Sequence, residues 1–372
     1  MDSSSMDTEQ DILNIKCPNC GSPHVAFSAE HQALYCSYCE YTKHLPKDSD
    51  EIVERPLTAS YHADESPKGM QIAAKEIHCE SCGSDTMISR EQVNVTCPFC
   101  GSTQVNEKAM SQRVIQPSGV LPFSVTKEEA GEKFNSWIGS NWFSPSNLSK
   151  KAQINSLKGV YLPFWTFDAF TESRWRAEAG YYYYVKEKVR GPDGRIETRS
   201  VRKIRWQPAS GFFDHFFDDT LICASHGVGQ KLVDQVLPYH LMQVVNFDNR
   251  YLLGWDTELY QKDLREGYEV ADKKMDSFIR SACASRIPGD TYRNLRIQTE
   301  KHRHTFKHIL LPLWIAGYSY RGKIFQFIVN GQSGKISGKR PLSWIKIALL
   351  ILLIGLIVAL IYYFNEVHGQ GA

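Results

Sequence analysis

The chain has 372 residues, of which 42% are hydrophobic, and a formal net charge of +2 at pH 7. This length is sufficient for two or three domains, and the hydrophobic content excludes a wholly disordered chain. A net charge so close to zero provides no general attraction to nucleic acid or to anionic membranes. Any electrostatic partner must therefore bind through local clusters of charge.

The first 108 residues contain two cysteine-rich segments that are separated by an acidic linker. Residues 1–12 are polar and are predicted to be disordered. Residues 13–46 and 75–108 carry the cysteine pairs, and residues 47–74 form the linker between them. The N-terminus is acidic and has no apolar signal sequence, so we expect the ten cysteines to lie in a reducing compartment.

Eight of the ten cysteines form four Cys-x-x-Cys pairs, namely Cys17 with Cys20, Cys36 with Cys39, Cys79 with Cys82, and Cys97 with Cys100. Two such pairs supply the four thiolates of a closed tetrahedral zinc site, which leaves no open position for catalysis. We therefore predict two zinc ribbons, each with one structural Zn²⁺ that supplies its folding energy. Redox-active pairs and iron–sulfur ligation are the less favoured alternatives. Glu40 stands where the other three turns have glycine.

Residues 113–336 are predicted to form a central α+β domain, because runs of aromatic and β-branched residues alternate there with Gly and Pro. A first helix is predicted to begin after Thr126, since Thr126 and Glu129 form a capping-box pattern. A second helix is predicted over residues 261–285, where apolar residues recur at helical spacing. The predicted fold is thus a β-rich α+β domain that follows two zinc ribbons.

Two segments of the central domain have similar sequences, Tyr161-Leu162-Pro163-Phe164-Trp165 and Leu310-Leu311-Pro312-Leu313-Trp314. They predict a duplicated β-unit, with chance recurrence as the alternative. Because proline is confined to strand edges, strand starts and bulges, each proline is expected to bend its strand above the neighbouring tryptophan. Hairpins are predicted over residues 181–206 and 314–329.

A cluster of positive charge lies in the first of these hairpins. Residues 186–205 contain eight Lys or Arg residues and three acidic residues. Such an excess suits lipid headgroups, an acidic protein or nucleic acid, and a solvated face is the simplest alternative.

The other polar candidates are Asp214, His215, Asp218, Asp219, Cys223 and His226 in one group, and His302, His304 and His308 in another. His302 and His304 are expected to share one face of a strand, where they suit a pH sensor or a metal site. The first group would suit a metal or acid–base site, but no nucleophile or phosphate-binding loop accompanies it. The glycine-rich residues 331–340 do not fit the Gly-x-x-x-x-Gly-Lys-Ser/Thr register. We therefore predict a protein without catalytic residues or a small-molecule substrate.

Residues 347–364 form an uninterrupted apolar stretch that predicts one transmembrane helix, followed by a short tail, residues 365–372. The preceding basic segment, residues 337–346, and its neighbour Lys335 contribute Lys335, Lys339, Arg340 and Lys346, whereas the tail has no Lys or Arg. This asymmetry predicts a single-pass protein of the cell membrane with its N-terminal domains in the cytoplasm. The same four residues are expected to bind anionic lipid headgroups.

The chain resembles bacterial zinc-ribbon membrane proteins in four features. These are the paired cysteine ribbons, the two Leu-Pro-x-Trp segments, the run Val329-Asn330-Gly331-Gln332-Ser333-Gly334-Lys335 and the final apolar helix. That family is described as transcription-factor-IIB-type, or is named after the primosomal helicase N-prime. The helicase label conflicts with the lack of a phosphate-binding loop. The resemblance implies a role beside phage-shock-protein-A-like (PspA-like) and SPFH-domain proteins in membrane stress or remodelling.

The sequence therefore predicts a tail-anchored, non-enzymatic adaptor whose two zinc ribbons recruit protein partners to the cytoplasmic face of the membrane. The alternative is a nucleic-acid-binding zinc-ribbon protein at the membrane. It is less favoured because the ribbons have few basic residues. Exposed aromatic residues, for which we consider Tyr38, Tyr41 and Phe99, suit a protein interface.

Overall fold

The computed structural model describes residues 16–46, 52–57, 74–80, 85–89, 97, 99, 102–103, 105–108, 115–190 and 196–369. Residues 1–12, for which disorder is predicted, lie outside the described residues. So do most of the linker, Cys82 and Cys100. The described chain is an α+β protein dominated by one large curled β-sheet, with an apolar helix at its C-terminal end.

The strands are β1 (Val25–Ser28), β2 (Ala33–Cys36), β3 (Thr42–Lys43), β4 (Arg55–Pro56), β5 (Ala74–Cys79), β6 (Asp85–Ser89), β7 (Val105–Lys108), β8 (Gly119–Val120), β9 (Gln153–Arg190), β10 (Ile196–Cys223), β11 (Val245–Asn246), β12 (Asp256–Thr257), β13 (Thr291–Tyr320), β14 (Lys323–Asn330) and β15 (Ile336–Gly338). The helices are α1 (Lys127–Gly139), α2 (Leu148–Lys151), α3 (Gln230–Asp234), α4 (Leu264–Ala284) and α5 (Trp344–Gly369).

The centre of the sheet is an antiparallel arrangement in the order β10, β9, β13, β14. Along β9 the burial alternates, with Trp175 and Ala177 buried beneath α4 and Arg174 and Arg176 exposed on the opposite face. This period of two is that of a sheet with one covered and one solvated face. Both predicted hairpins are present, and the first extends along the full length of β10.

Both predicted helices are confirmed, and each begins with a capping box. In α1 the N–H of Glu129 donates to Thr126 Oγ1 (3.2 Å) and the N–H of Thr126 donates to Glu129 Oε2 (2.8 Å). In α4 Asp263 and Glu266 make the same exchange, at 2.7 and 3.2 Å. Helix α4 begins later than residue 261, because the N–H groups of residues 261 and 262 both donate to the carbonyl of Ala224.

The two similar segments lie side by side in the sheet. They pair antiparallel with Leu162 opposite Leu311, so that each proline is near the start of the other segment. The indole N–H of Trp165 donates to the carbonyl of Lys262 (3.0 Å), and that of Trp314 donates to the carbonyl of Val125 (2.9 Å). Each acceptor directly precedes the N-cap residue of a helix, so the contacts of the two segments are equivalent.

The prolines do not bend their strands as expected, since the pairing of β9 with β13 has no register shift at Pro163 or Pro312. Each proline lies instead at the position where the strand on its other side has just ended, which is β10 for Pro163 and β14 for Pro312. The carbonyl of Pro163 accepts the N–H of Ala224, just after β10, and that of Pro312 accepts the N–H of Gly331, just after β14. The missing proline N–H therefore costs no ladder hydrogen bond.

The first ribbon packs directly against the central domain. The N–H of Phe27 donates to the carbonyl of Leu253 (3.0 Å), and the Trp255 indole donates to the carbonyl of Phe27 (2.9 Å). The amide of Gln32 donates to the carbonyl of Phe123 (2.7 Å). The apolar residues of this ribbon are therefore part of the same hydrophobic core as the central sheet.

The described part of the second ribbon also contacts the sheet. Met87 of β6 pairs with Thr257 of β12, and the Gln326 amide donates to the carbonyl of Phe99 (3.1 Å). Phe99 is only 1% exposed, so its expected place on a protein interface is wrong. Of the other two aromatic candidates, Tyr38 is 78% exposed and Tyr41 is partly buried.

Helix α5 is long and apolar enough to span a membrane over Trp344–Phe364, and none of that span is buried in the protein. It begins three residues before the predicted residue 347, and its helical backbone continues to Gly369. The earlier start has a local cause, because the N–H of Lys346 donates to the Ser343 hydroxyl (3.4 Å) and the N–H of Ile347 donates to the Ser343 carbonyl.

Candidate metal centre and charged clusters

Four of the predicted zinc ligands come together in the first ribbon. The Sγ atoms of Cys17 and Cys39 are 3.5 Å apart, those of Cys20 and Cys36 are 3.7 Å apart, and all four lie within 4.8 Å of one another. A tetrahedral Zn²⁺ with bonds of ~2.3 Å to sulfur requires sulfur atoms ~3.8 Å apart. The cluster can therefore hold one metal ion of this size.

Two similar turns bring these cysteines together. The N–H of Gly21 donates to the Cys17 carbonyl (2.8 Å), and the N–H of Glu40 donates to the Cys36 carbonyl (2.9 Å). Gly21 has φ +71° and Glu40 has φ +60°. The left-handed conformation that glycine normally provides in such a turn is thus adopted by a glutamate, at a steric cost.

The side chain of Asn19 supports the thiolate form of one ligand. Its Nδ2 donates to Cys39 Sγ at 3.5 Å, and this hydrogen bond lowers the pKa of the Cys39 thiol to about 6. Because metals bind thiolates rather than thiols, the chemistry of the donor set fits a closed site for a thiophilic cation.

The second predicted site is only partly within the described residues. Cys79 and Cys97 are both buried, and the N–H of Cys97 donates to the carbonyl of Ser102 (2.8 Å). Cys17 makes the same bond to Ser22, at 2.8 Å, in the first ribbon. Among the described residues there is one complete four-cysteine cluster, and the second Zn²⁺ stays a prediction.

Carboxylates from three positions also come together. Oxygen atoms of Asp168, Asp218 and Asp219 lie within 4.8 Å of one another. The Lys307 ammonium group lies 2.8 Å from Asp219 and 3.1 Å from Glu54. A protein cation therefore already compensates the charge of this cluster.

Asp168 is the buried member of this cluster, and burial raises its pKa to about 6. Its Oδ1 accepts the N–H of Asp219 at 2.6 Å. The single hydroxyl proton of Thr305 lies within reach of two carboxylates, Asp168 at 2.8 Å and Glu54 at 2.9 Å. Protonated Asp168 can donate to Thr305 while Thr305 donates to Glu54.

A cavity of about 770 Å³ adjoins the acidic cluster. Its lining includes Phe27 and Gln32 of the first ribbon, Val244 before β11, and Asp219 with Lys307. The cavity thus lies between the first ribbon and the central sheet.

The remaining residues of the first polar group do not form a common site. Asp214 and His215 point to opposite faces of β10, and His215 lies 4.7 Å from Phe278 of α4. Asp218 and Asp219 lie at a bulge where Asp219 has φ +50°. Cys223 is buried, and burial raises its pKa to about 12, whereas His226 is exposed. Of these six residues, only Asp218 and Asp219 share a cluster.

The three histidines of β13 are separated. His302 lies 3.3 Å from Glu172 on the exposed face, whereas His304 Nδ1 is 3.3 Å from the Tyr268 hydroxyl of α4. The expected shared face is wrong, because Arg303 adopts φ +53° in a bulge that breaks the alternation. His308 is fully buried, and burial lowers its pKa to about 4.

The basic hairpin is two-sided, because residues that pair directly share a face. On one face Glu187 forms an ion pair with Lys203. The other face continues the exposed face of the sheet. We consider this face from Arg174 to Arg190 on β9, together with the residues of β10 and β13 that pair with it. This face carries eight cations, Arg174, Arg176, Lys186, Lys188, Arg190, Arg202, Arg293 and Arg296. Its single acidic side chain over this span, Glu178, is paired with Arg293.

Aromatic side chains lie among these cations, at Tyr182, Tyr184, Trp206 and Phe212. Arg202 stacks on Tyr182 with its guanidinium carbon 4.4 Å from the ring centre, and Arg293 stacks on Trp206 at 4.2 Å. We call this surface, with the eight cations and these four aromatic residues, the basic–aromatic face.

The segment that resembles a phosphate-binding loop is a turn that closes on itself. The Asn330 side chain accepts the N–H groups of Gln332 (2.9 Å) and Ser333 (3.0 Å), and Gly334 has φ +72°. Strand β14 ends at Asn330, directly before this turn.

These features define an α+β protein with a four-cysteine cluster packed on a large curled sheet and one apolar helix long enough to span a membrane. The chain belongs to the family of the uncharacterized protein YdjG of Bacillus subtilis (strain 168). The two are 31% identical over 350 residues, which cover 91% of this chain and 92% of YdjG. No family model matches the chain, and no solved structure matches it.

Proposed function

We propose that this chain is a non-enzymatic adaptor that is tail-anchored in the cell membrane by α5. Its ribbons and central domain lie in the cytoplasm, as the basic residues before α5 favour. The observation that carries the proposal is how the first ribbon packs on the central domain. Its apolar residues share the core of the central sheet, while Cys20, Tyr38 and Glu40 of the cysteine turns are exposed.

The turn between Cys36 and Cys39 is the best candidate for a docking surface. It presents Tyr38, which is 78% exposed, and both flanking cysteines belong to the metal cluster. A bound Zn²⁺ would hold this turn rigid, so a partner would dock without the entropic cost of ordering it. Exposed tyrosines are frequent anchors of protein interfaces.

Purified PspA-like and SPFH-domain proteins from the same organism are the partners to test, because the family resemblance implies them. The full-length protein in mild detergent should bind one of them, and Tyr38→Ala should weaken binding by at least ~10-fold, as expected for loss of an aromatic anchor. Tyr292→Ala is the matched control, since Tyr292 is 45% exposed on β13. Equal binding by the Tyr38 variant, with its zinc content unchanged, would contradict the proposed docking surface.

A second candidate function, nucleic-acid binding at the membrane, is favoured by the basic–aromatic face. Alternate residues along a strand are ~6.6 Å apart, so Lys186, Lys188 and Arg190 form a regular row of cations. Basic side chains combined with aromatic platforms are typical of surfaces that bind single-stranded nucleic acid. The ribbons are not needed for this function.

This candidate is tested with a single-stranded oligonucleotide and the full-length protein at increasing salt. Binding should weaken steeply, and Lys186→Gln with Lys188→Gln should reduce the slope by ~0.7 for each lost phosphate contact. Lys203→Gln is the matched control, because Lys203 lies on the opposite face and is paired with Glu187. The absence of binding at ~50 mM salt would eliminate this function.

A further inference from the structure

The loop between α1 and α2 presents two adjacent aromatic side chains to the outside. Trp142 is 58% exposed and Phe143 is 40% exposed, and their rings meet edge to face at 5.2 Å. Large apolar side chains that are exposed together usually mark an interaction site.

Backbone atoms of this loop are bound to the first turn of α5. The N–H of Ser343 donates to the carbonyl of Phe143 (2.8 Å). The Lys346 ammonium group donates to the carbonyls of Trp142 (3.0 Å) and Ser144 (2.9 Å). These bonds use the main chain of the loop. The Lys346 ammonium group also lies 5.9 Å from the centre of the Trp142 ring, and both aromatic side chains stay exposed.

The same loop is also attached to the central sheet. The Tyr320 hydroxyl donates to the side chain of Asn147 at 2.8 Å, at the end of β13. On the preceding helix, the Arg340 guanidinium stacks on Trp137 with its central carbon 3.8 Å from the ring centre. The loop is therefore a rigid bridge between the folded domain and the start of α5.

The start of α5 is itself apolar and exposed. Leu342 is 54% exposed, Trp344 is 77% exposed and Ile345 is 75% exposed. These three residues flank Ser343 and precede Lys346, which are hydrogen-bonded to the loop that carries Trp142 and Phe143. Tryptophan is enriched where transmembrane helices cross the interfacial layer of a bilayer.

We infer that Trp142 and Phe143 insert into the interfacial layer of the bilayer that α5 spans, and so form a second membrane contact. This inference rests on the proposed anchoring by α5. Hydrogen bonds join the loop to Ser343 and Lys346, so a bilayer entered by α5 at Trp344 lies within reach of both side chains. The domain is then held at a defined tilt to the membrane and does not swing on a flexible stalk.

Three of the four residues predicted to bind lipid headgroups make contacts within the protein instead. The Lys346 ammonium group donates to carbonyls of the loop, and the Arg340 guanidinium is stacked on Trp137. The Lys335 ammonium group donates to the carbonyl of Leu237. The exposed Lys339 is the remaining residue of the four for a headgroup.

The test uses full-length protein in vesicles whose lipids carry bromine at a shallow acyl position, which quenches tryptophan fluorescence on contact. The Trp142 signal is the difference between the wild type and Trp142→Phe. We expect more than half of this signal to be quenched. Trp206→Phe is the matched control, since Trp206 lies on the distal hairpin and its signal should not be quenched.

Trp344→Phe separates failure of the anchor from failure of this inference. If the Trp344 signal is quenched and the Trp142 signal is not, the loop does not insert and the inference is wrong. If neither signal is quenched, α5 does not enter the bilayer and the proposed anchoring fails as well. Phe143→Trp provides an independent reporter, and its added fluorescence should be quenched as strongly as that of Trp142.

A protein partner bound to Trp142 and Phe143 is the competing explanation, and the same vesicles distinguish it. Because they contain no other protein, quenching of Trp142 in them can come only from lipid. A Trp142 signal that stays unquenched and emits at the long wavelength of a water-exposed indole would overturn the inference.

Discussion

Trp165 and Trp314 make equivalent hydrogen bonds across the two halves of the central sheet, and each reaches the residue before the capping box of the other half. Trp165 bonds to Lys262 before α4, and Trp314 bonds to Val125 before α1. One half consists of α1 and the β9 strand that follows it, and the other of α4 and β13. Helix α4 therefore begins against β9, and α1 begins against β13. Each half therefore depends on the other for this contact.

Replacement of either tryptophan by phenylalanine should destabilise the protein. Trp165→Phe leaves the partly buried carbonyl of Lys262 without its donor, and Trp314→Phe does the same to the buried carbonyl of Val125. Each loss costs about 1–3 kcal/mol. We expect similar losses from the two variants, because the two bonds are equivalent. Thermal unfolding in detergent measures the loss, and Trp206→Phe, on the distal hairpin, is the control. A loss in one variant and none in the other would show that the halves are not equivalent.

Glu40→Gly should stabilise the first ribbon. Glu40 has φ +60°, and the left-handed conformation costs a residue with a side chain about 1–2 kcal/mol. The Glu40→Gly variant should therefore keep its zinc at chelator concentrations several-fold higher than those that remove zinc from the wild type. The reverse change, Gly21→Ala, should lose zinc more easily, because Gly21 has φ +71°, which is strained for alanine. No atom lies near its Cβ position, so the cost comes from the backbone conformation and not from a steric clash. Unchanged zinc retention in both variants would contradict this account of the turn.

Metal removal should affect more than the ribbon. Because Phe27 and Leu34 lie in the same core as the central sheet, loss of Zn²⁺ should lower the melting temperature of the whole domain. Elemental analysis should find two Zn²⁺ per chain, and Cys17→Ser should reduce this to one. Cys283→Ser should keep both, since Cys283 lies on α4 away from the cluster. A melting curve that is unaffected by chelation would show that the ribbon and sheet unfold independently.

Asp168 should make stability depend on pH. Burial raises its pKa in the folded protein to about 6 from an ordinary value of ~3.9, so its contribution is present at low pH and is lost as pH rises through ~6. Relative to Asp168→Asn, the wild type should lose about 2 kcal/mol between pH 4 and pH 7. Unfolding at several pH values measures this. A constant difference between the two proteins would contradict the raised pKa.

The local elements were predictable because their signals lie within a few residues. The capping box of α1, the second hairpin and the four clustered cysteines of the first ribbon each depend on near neighbours in the chain. The apolar helix is equally local, since its length and composition alone suffice.

The predictions that failed depended on distant contacts. Phe99 appeared suitable for an interface, yet it is buried in a hydrophobic cluster and its carbonyl accepts the Gln326 amide. His302 and His304 were assigned to one face by simple alternation, and the bulge at Arg303 separates them. No local pattern reveals a bulge that forms only when the strands of a large sheet must be accommodated together.

The sequence by itself determined the four-cysteine cluster of the first ribbon, the start of α1 and the membrane-length helix, because spacing and composition within short segments specify them. Only the tertiary structure decided that the ribbon shares the core, that the two tryptophans exchange contacts, and that Trp142 lies beside Lys346 about 200 residues later in the chain. These relationships arise from the simultaneous burial of apolar surface by segments far apart in sequence, and local patterns carry no record of them.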